Sequence, residues 1–301
     1  MRAAALPALV AAVLTVGCRS AVEPGRPLLG GAGPPRALRA IPADRAAAEA
    51  QWRAHPDDLD ALVWYARRVA YEGDFAGAVA LYTQGLAQFG DEPELLRHRG
   101  HRYLSLRRFE EARADLEQAA RLLEGRPDAL ELDGAPNDFD VPRGTLHTNV
   151  WYHLALACHL LRRDEEAARA FAWCLAGASN DDFRVAAAYW RVLALVHLGR
   201  ADEARALAKL FATRELELME SYDYAELLRL FAGTSTRAQD TLAAAETPLS
   251  RATLAYGVAM WHRLSGREDE ARALLLRLVA EPTAAFGCLA AEVELARLGT
   301  P

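Results

Sequence analysis

The sequence has little lysine, little cysteine and no excess of positive charge. Lys209 is the only lysine, and 35 basic residues stand against 41 acidic ones, which gives a formal net charge of −6. A general nucleic-acid binder needs clustered Lys and Arg in excess to neutralise phosphates, so this composition argues against one. With 52% apolar and 25% charged residues over 301 positions, the chain is globular in character and can form a sizeable core.

The common catalytic motifs are also missing. The chain has no H-E-x-x-H motif, no G-x-S-x-G motif and no glycine-rich loop in the context that binds phosphate. His147, His153 and His159 are evenly spaced, but six residues on a helix turn successive side chains by about 240°, so they cannot share one metal. His98 and His101 share a helix face without a third ligand, which is typical of ordinary helix-surface residues. We therefore predict no catalytic residue, no metal and no cofactor.

The N-terminus carries a short apolar run. Met1 and Arg2 precede fourteen residues, AAALPALVAAVLTV, which end at Gly17 and Cys18. A membrane-spanning helix needs about 20 apolar residues, whereas this pattern is typical of a secretory signal. It resembles a bacterial lipoprotein signal, which implies removal of residues 1–17 and a lipid on Cys18. Thr15 departs from the aliphatic residue usual in such signals, so an ordinary cleaved signal and an uncleaved N-terminus remain alternatives.

Residues 18–42 are rich in proline and glycine. Such a segment behaves as a flexible tether, which would let a lipid-anchored domain stand off its membrane. Arg19 follows the cysteine, where an aspartate would resemble an inner-membrane retention signal. The resemblance therefore implies a secreted protein that is lipid-anchored to the cell envelope, at the outer membrane facing the periplasm.

Three further cysteines lie in the remainder of the chain. Cys158, Cys174 and Cys288 form no C-x-x-C pair, so neither a zinc framework nor a disulfide scaffold is indicated. Cys158 and Cys174 are expected on the two helices of one hairpin. They are either buried thiols or, in an oxidising compartment, a disulfide pair.

A repeat with a period near 34 residues runs through the rest of the chain. Polar turns such as RRFEEA and GREDEA each follow one apolar helical run and open another. Five of these turns end on an alanine: Ala78, Ala112, Ala167, Ala204 and Ala271. Their spacings are 34, 55, 37 and 67 residues. Halving the last spacing leads to Ala238, in what we interpret as a degenerate copy.

These features resemble the tetratricopeptide repeat family, whose period is 34 residues. Gly100, Tyr103 and Phe109 match that family's pattern of small residues where two helices touch and aromatics that wedge between them. The resemblance implies an all-α solenoid over residues 43–301, with about six helical hairpins, a half repeat at the start and a capping helix at the end. The residues expected to pack between helices are Ala78, Gly100, Ala112, Ala167, Ala204, Ala238 and Ala271. The segment 133–152 also resembles uncharacterised bacterial tetratricopeptide lipoproteins, which supplies no ligand.

An insertion interrupts this repeat. The spacing of 55 exceeds the period by 21 residues, which predicts an insertion at about residues 124–144. It contains clustered oxygens of the kind that calcium prefers, on Asp133, Asn137, Asp138 and Asp140. The glycine and distal glutamate of an EF-hand loop are absent, which argues against calcium. Its apolar residues can pack onto neighbouring helices: Leu130, Leu132, Phe139 and Val141. The insertion is thus predicted to be a structural joint or, alternatively, a lid over a ligand.

Solenoids of this kind bind partners on the concave surface, which one face of each hairpin's first helix lines. Projecting the repeat phase predicts a partner-binding groove with these residues: Arg67, Arg97, His101, Tyr152, His159, Tyr189, Tyr256 and Arg263. Tyrosine gives broad contact area at low entropy cost, and arginine can bind a carboxylate with two hydrogen bonds. The alternative is that the tyrosines complete packing between helices.

The leading prediction is a non-catalytic protein-interaction scaffold at the bacterial cell envelope, which binds a peptide or protein segment in this groove. The rival is a small-ligand or substrate-binding protein, or an enzyme, that uses the acidic insertion 124–144 as a lid. The sequence does not name the partner in either case.

Overall fold

A computed structural model describes most of the chain, namely residues 41–134, 139, 141–281 and 283–299. The predicted signal peptide, Cys18 and nearly all of the tether lie outside these residues, as do Asn137, Asp138 and Asp140 of the insertion. None of the described helices combines the length and the apolar character that crossing a bilayer requires.

The described helices form six antiparallel hairpins between two end helices. The first end helix is α1 (Arg45–Ala54) and the last is α14 (Phe286–Arg297). The hairpins are α2 (Leu59–Tyr71) with α3 (Phe75–Phe89), α4 (Pro93–Ser105) with α5 (Phe109–Leu123), α6 (Leu146–Leu160) with α7 (Asp164–Gly177), α8 (Asp181–His197) with α9 (Ala201–Ala212), α10 (Tyr222–Ala232) with α11 (Arg237–Ala243), and α12 (Pro248–Leu264) with α13 (Glu268–Ala280). The predicted all-α solenoid is confirmed.

Local side-chain caps begin several of these helices. The carboxylates of Asp44, Asp58 and Asp74 accept hydrogen bonds from backbone amides in the first turns of α1, α2 and α3. Thr145 and Thr148 form a reciprocal capping box at the start of α6. These bonds satisfy amides that have no partner within the helix. The helix starts are therefore encoded by residues next to them in sequence.

The repeat anchors lie where the two helices of each hairpin cross. All seven are buried: Ala78, Gly100, Ala112, Ala167, Ala204, Ala238 and Ala271. A Cβ atom added at Gly100 would lie 2.8 Å from Cγ of Leu116. A larger residue at Gly100 would therefore force α4 away from α5.

The insertion contains a short antiparallel ladder, β1 (Leu130–Glu131) with β2 (Gly144–Thr145). Glu131 is buried on the inner side, whereas Leu130 and Val141 are exposed and Phe139 is 60% exposed. Of the four apolar residues expected to pack onto neighbouring helices, Leu132 is half-buried and these three are partly exposed. Because successive strand residues point to opposite faces, the inward position of the buried Glu131 turns Leu130 outward.

The three described cysteines are buried free thiols. Burial, with Glu166 nearby, raises the pKa of the Cys158 thiol to about 12, and burial also raises the pKa of Cys174. The Cys174 thiol donates to the backbone oxygen of Thr148 at 3.7 Å. Of the two alternatives for Cys158 and Cys174, the structure has the packed thiols.

Candidate functional site

The predicted groove residues lie on the first helices of the hairpins, but they are not an open surface. Six of them are at most 8% exposed: Arg67, Arg97, Tyr152, His159, Tyr189 and Tyr256. His101 and Arg263 are half-buried. The expectation of an open groove is wrong because two segments of the chain itself, the insertion and α14, lie against this inner face. The tyrosines contribute to packing, which is the alternative that the sequence left open.

The insertion fills the N-terminal half of the inner face. The Glu131 carboxylate pairs with the Arg97 guanidinium at 2.8 Å, and Arg67 donates to the backbone oxygen of Leu132 at 2.8 Å. Glu131 Oε2, Arg97 Nε and His98 Nε2 are buried without a hydrogen-bond partner among the described residues. Glu131 and Leu132 therefore occupy the place of a bound segment on α2 and α4, with incomplete hydrogen bonding.

Of the two histidines predicted to be ordinary surface residues, His98 is buried and His101 is half-buried. His98 is buried and its ring lies parallel to that of Tyr82 at 5.7 Å. His101 contacts the rings of His153 at 4.3 Å and Phe286 at 5.6 Å. Burial lowers the pKa of His98, His101 and His153, and the neighbouring arginines Arg97 and Arg102 lower it further. The surface prediction is wrong because the insertion and α14 cover this side of α4.

A buried ion-pair cluster fills the C-terminal half of the inner face. The Asp164 carboxylate lies 3.0 Å from His159 Nδ1 and 3.3 Å from His197 Nδ1. Glu294, on α14, lies 3.2 Å from His197 Nε2. Arg162 donates to one Glu294 oxygen at 2.8 Å, and Arg263 donates to the other. We call these six residues the ionic cluster.

The ionic cluster sets the charge of its members. Burial lowers the pKa of His159, and the hydrogen bond to Asp164 offsets only part of this effect. Burial also disfavours charge on His197, but its hydrogen bonds to Asp164 and Glu294 outweigh burial and raise its pKa. Burial would raise the pKa of Asp164 and Glu294, yet hydrogen bonds from the histidines hold the pKa of both carboxyls low. The two acids are therefore ionised, and His197 is the histidine that carries charge most readily.

Three members of the ionic cluster have the donor atoms of a metal site. A ring nitrogen of His159, a ring nitrogen of His197 and a carboxylate oxygen of Asp164 all lie within 4.8 Å of one another. Two histidines with a carboxylate can bind zinc. However, the Arg162 guanidinium lies 2.6 Å from His197 Nδ1, and both carboxylates are paired with protein cations. A divalent ion would be repelled by these cations. The arrangement fits an ion-pair network better than a metal centre.

Sequence reasoning missed most of this cluster. Asp164, His197 and Glu294 belong to no motif, and Arg162 reaches Glu294 across 132 residues of sequence. Only the arginine in the turn that contains Arg162 could have been noticed, because other copies of this turn have glycine there.

The described acids of the insertion contact the protein. Asp133 pairs with Arg143 at 3.5 Å, and Asp128 accepts hydrogen bonds from the backbone amides of Ala129 and His147. Glu131 is likewise paired with Arg97. Because these acids bind groups of the protein itself, nothing among the described residues favours a lid that holds a small ligand.

One cleft remains on the inner side. Its volume is about 390 Å³, and its lining residues are His101, Pro248, Leu249, Thr283, Ala284, Ala285 and Phe286. Leu249 is 64% exposed. The cleft lies between α4 and the first residues of α12 and α14 and has a size common among ligand pockets.

No family model and no curated protein matches the sequence. Solved structures match it in shape. A tetratricopeptide repeat protein from Parabacteroides merdae is 15% identical, with a TM-score of 0.50, and the match covers 83% of this chain and 91% of that one. The chain has a tetratricopeptide-repeat fold. At this identity the likeness shows the fold alone, which confirms the family resemblance at that level.

Two further solved structures match the chain with lower TM-scores. YrrB, a TPR protein with an unusual peptide-binding site, is 15% identical, with a TM-score of 0.44, and the match covers 83% of this chain and 98% of that one. The structure of Naa15/Naa10 bound to HypK-THB is 15% identical, with a TM-score of 0.36, and the match covers 85% of this chain and 36% of that one.

Proposed function

We propose that the chain is a non-catalytic scaffold that binds a segment of a partner protein in the inner cleft. The observation that carries the proposal is the exposure of Leu249. This leucine is 64% exposed and lines the cleft together with Phe286. The cleft is lined mainly by apolar side chains with a few polar groups, which is common among binding sites. The fold supports this reading by analogy, because solenoids of this kind present concave binding surfaces.

The predicted groove residues have two roles in this proposal. His101 lines the cleft itself, whereas Tyr152, Tyr189 and Tyr256 are buried and support the helices beneath it. Replacing a buried tyrosine would therefore test packing and not binding. Leu249 is the position at which binding can be changed with little effect on the core.

Site-specific photocrosslinking tests the proposal. A photoreactive residue at Leu249 is expected to capture one partner from the native envelope, and the same residue at Leu210 serves as the control. Leu210 is 51% exposed on α9 and lies away from the cleft residues. Leu249→Arg should abolish capture and leave the unfolding midpoint unchanged. If positions 249 and 210 capture the same proteins, the cleft is not the binding site.

We also propose that the protein is lipid-anchored through Cys18 to the bacterial cell envelope, at the outer membrane facing the periplasm. The support is the signal-like pattern of residues 1–17 followed by the proline- and glycine-rich residues 18–42. Cys18→Ala should move the protein from the membrane fraction to the soluble fraction, whereas Cys174→Ala should not. An unchanged distribution of Cys18→Ala would contradict the proposed anchor.

A further inference from the structure

The turn of every hairpin contains one residue with a left-handed backbone conformation. Four of these six residues are glycines: Gly73, Gly199, Gly233 and Gly266. The other two are Arg107 and Arg162, with φ values of 61° and 62°. They are the only non-glycine residues with positive φ among those that the structure describes. Since a Cβ atom makes this conformation unfavourable, glycine is the expected residue at all six positions.

The two arginines share a contact that the glycines cannot make. Arg107 donates to both oxygens of Glu292, at 3.0 and 2.6 Å, and Arg162 donates to Glu294 at 2.8 Å. Both glutamates belong to α14, the last helix. Backbone strain that persists at particular positions points to a function for them. Here the strained turns are the two whose side chains hold α14 against the middle of the solenoid.

The surface that receives these glutamates is cationic. Arg107, Arg162, Arg263 and His197 converge on Glu292 and Glu294, and we call these four basic residues the cationic face. Among the described residues outside α14, the acids beside it are the buried Asp164 and the exposed Glu268, which lies 3.3 Å from Arg263. Without the two glutamates, the cationic face would hold a marked excess of positive charge, which is complementary to a segment that carries carboxylates.

The apolar contacts of α14 are made elsewhere. The helix packs mainly on α12 and α13, and a Cβ atom added at Gly287 would lie 2.3 Å from the backbone oxygen of Ala252. It also packs against α6, and its polar and aromatic contacts on this side include the two glutamates and the ring of Phe286. The last hairpin therefore supplies most of the packing of α14, and the two glutamates supply its ion pairs with the cationic face.

We propose that the cationic face is a docking surface for an acidic segment of a partner protein and that Glu292 and Glu294 occupy it in the free chain. This inference rests on the proposed scaffold function and names the chemistry of its partner. The inner cleft adjoins this face, because Arg107 also donates to the backbone oxygen of Thr283, which lines the cleft. The partner segment places an apolar side chain beside Leu249 and its carboxylates on the arginines.

Peptide binding to the full chain tests the proposal. The probe is a fluorescent synthetic peptide of residues 283–299 of this chain, and the matched control is the same peptide with both Glu292 and Glu294 changed to Gln. The receptor is the full chain with Glu292→Gln and Glu294→Gln, which removes the chain's own carboxylates from the cationic face. The acidic peptide should bind this variant at least about tenfold more tightly than the wild type, and about tenfold more tightly than the Gln peptide does. Raising salt from about 50 to about 500 mM should remove the preference.

A second variant separates docking from folding. Arg107→Gly with Arg162→Gly relieves the strained backbone and removes two of the cationic groups. Added to the Gln receptor, these changes should remove the preference for the acidic peptide while helical content is retained. Equal binding of the two peptides to the folded Gln receptor would overturn the inference.

The two proposals fail in different ways. If the crosslinker at Leu249 captures a partner while the acidic and Gln peptides bind equally, the scaffold function stands and the cationic docking surface is wrong. If the acidic peptide is preferred while position 249 captures nothing beyond the Leu210 control, the proposed function in the cleft fails. If sedimentation shows self-association that the acidic peptide reverses, a second copy's last helix is the occupant, and the assignment to a different partner protein is overturned.

Discussion

One glutamate of the chain itself fills each half of the solenoid's inner face. Glu131, on β1, pairs with Arg97 in the N-terminal half, and Glu294, on α14, pairs with Arg162 and Arg263 in the C-terminal half. Their exposed fractions are only 8% and 1%. The hydrogen bonding differs, because one Glu131 oxygen is left without a partner among the described residues whereas both Glu294 oxygens accept from cations.

The two halves also differ in which other acids lie near the arginines when the glutamate is removed. Arg97 has no other acid within ion-pair distance among the described residues. Arg162, by contrast, lies 3.7 Å from Asp164, and Arg263 lies 3.3 Å from Glu268. Removing one partner of a buried ion pair is costly because it leaves an uncompensated charge. The C-terminal half therefore has substitutes for its glutamate that the N-terminal half lacks.

The largest effect is expected in the N-terminal half. Glu131→Ala should lower the free energy of unfolding by about 3–5 kcal/mol, since the buried Arg97 guanidinium loses its only ion pair. Urea unfolding measures the change. Asp133→Asn is the matched control, because the pair of Asp133 with Arg143 is partly exposed and contributes about 0–1 kcal/mol. If Glu131→Ala costs no more than this control, the insertion detaches and Arg97 reaches water.

Glu294→Ala should cost less, about 1–3 kcal/mol, because Asp164 and Glu268 still offset part of the charge of its arginines. Asp164→Ala tests this redundancy. If the two acids substitute for each other, the double variant loses more stability than the sum of the single variants, as residues in one network do. Additive losses would show that Asp164 does not support Arg162, and the two halves would then differ only in hydrogen-bond completeness.

The pH dependence of stability should have opposite signs for His197 and for the histidines whose pKa is lowered, which include His159 of the C-terminal half. His98, His101 and His153 have pKa values below the ordinary 6.5, so the unfolded chain binds protons first and stability falls as pH drops below about 6.5. His197 has a raised pKa. Its contribution is therefore fully present below about pH 6.5 and is lost as pH rises through the folded-state pKa.

Two variants separate these contributions. Comparing unfolding midpoints at about pH 7.5 and about pH 5.5, we expect His98→Gln to reduce the loss of stability in acid and His197→Gln to increase it. The opposite ranking would mean that the protonation of His197 opposes folding, and the description of the ionic cluster as a network that favours its charge would be wrong.

The fold was predictable because its determinants are local and repeated. The phase of Ala112, Ala167 and their equivalents predicts the hairpins without any long-range contact. The inner face was not predictable in the same way. Whether Arg97 is exposed or buried depends on where the insertion places Glu131, and α14 meets the middle of the solenoid only because the superhelix brings Glu294 next to Arg162. The sequence nevertheless contained one signal, the arginine that replaces glycine in two turns, although it did not indicate what that arginine binds.

The smallest changes in the free energy of unfolding are expected at these turns, where two opposing contributions nearly cancel. Arg107→Gly relieves a left-handed conformation that costs about 1–2 kcal/mol, and it removes a partly exposed ion pair to Glu292 that contributes about 0.2–1 kcal/mol. The net change should therefore be zero or a gain of about 1 kcal/mol. Gly199→Arg adds the same strain without an acid placed to receive it, and nothing lies within 4 Å of the added Cβ, so it should cost about 1–2 kcal/mol. If Arg107→Gly destabilises the chain as much as Gly199→Arg does, the bond to Glu292 is stronger than that of an ordinary surface pair. An acidic partner would then have to replace its energy fully before the cationic face could exchange one carboxylate for another.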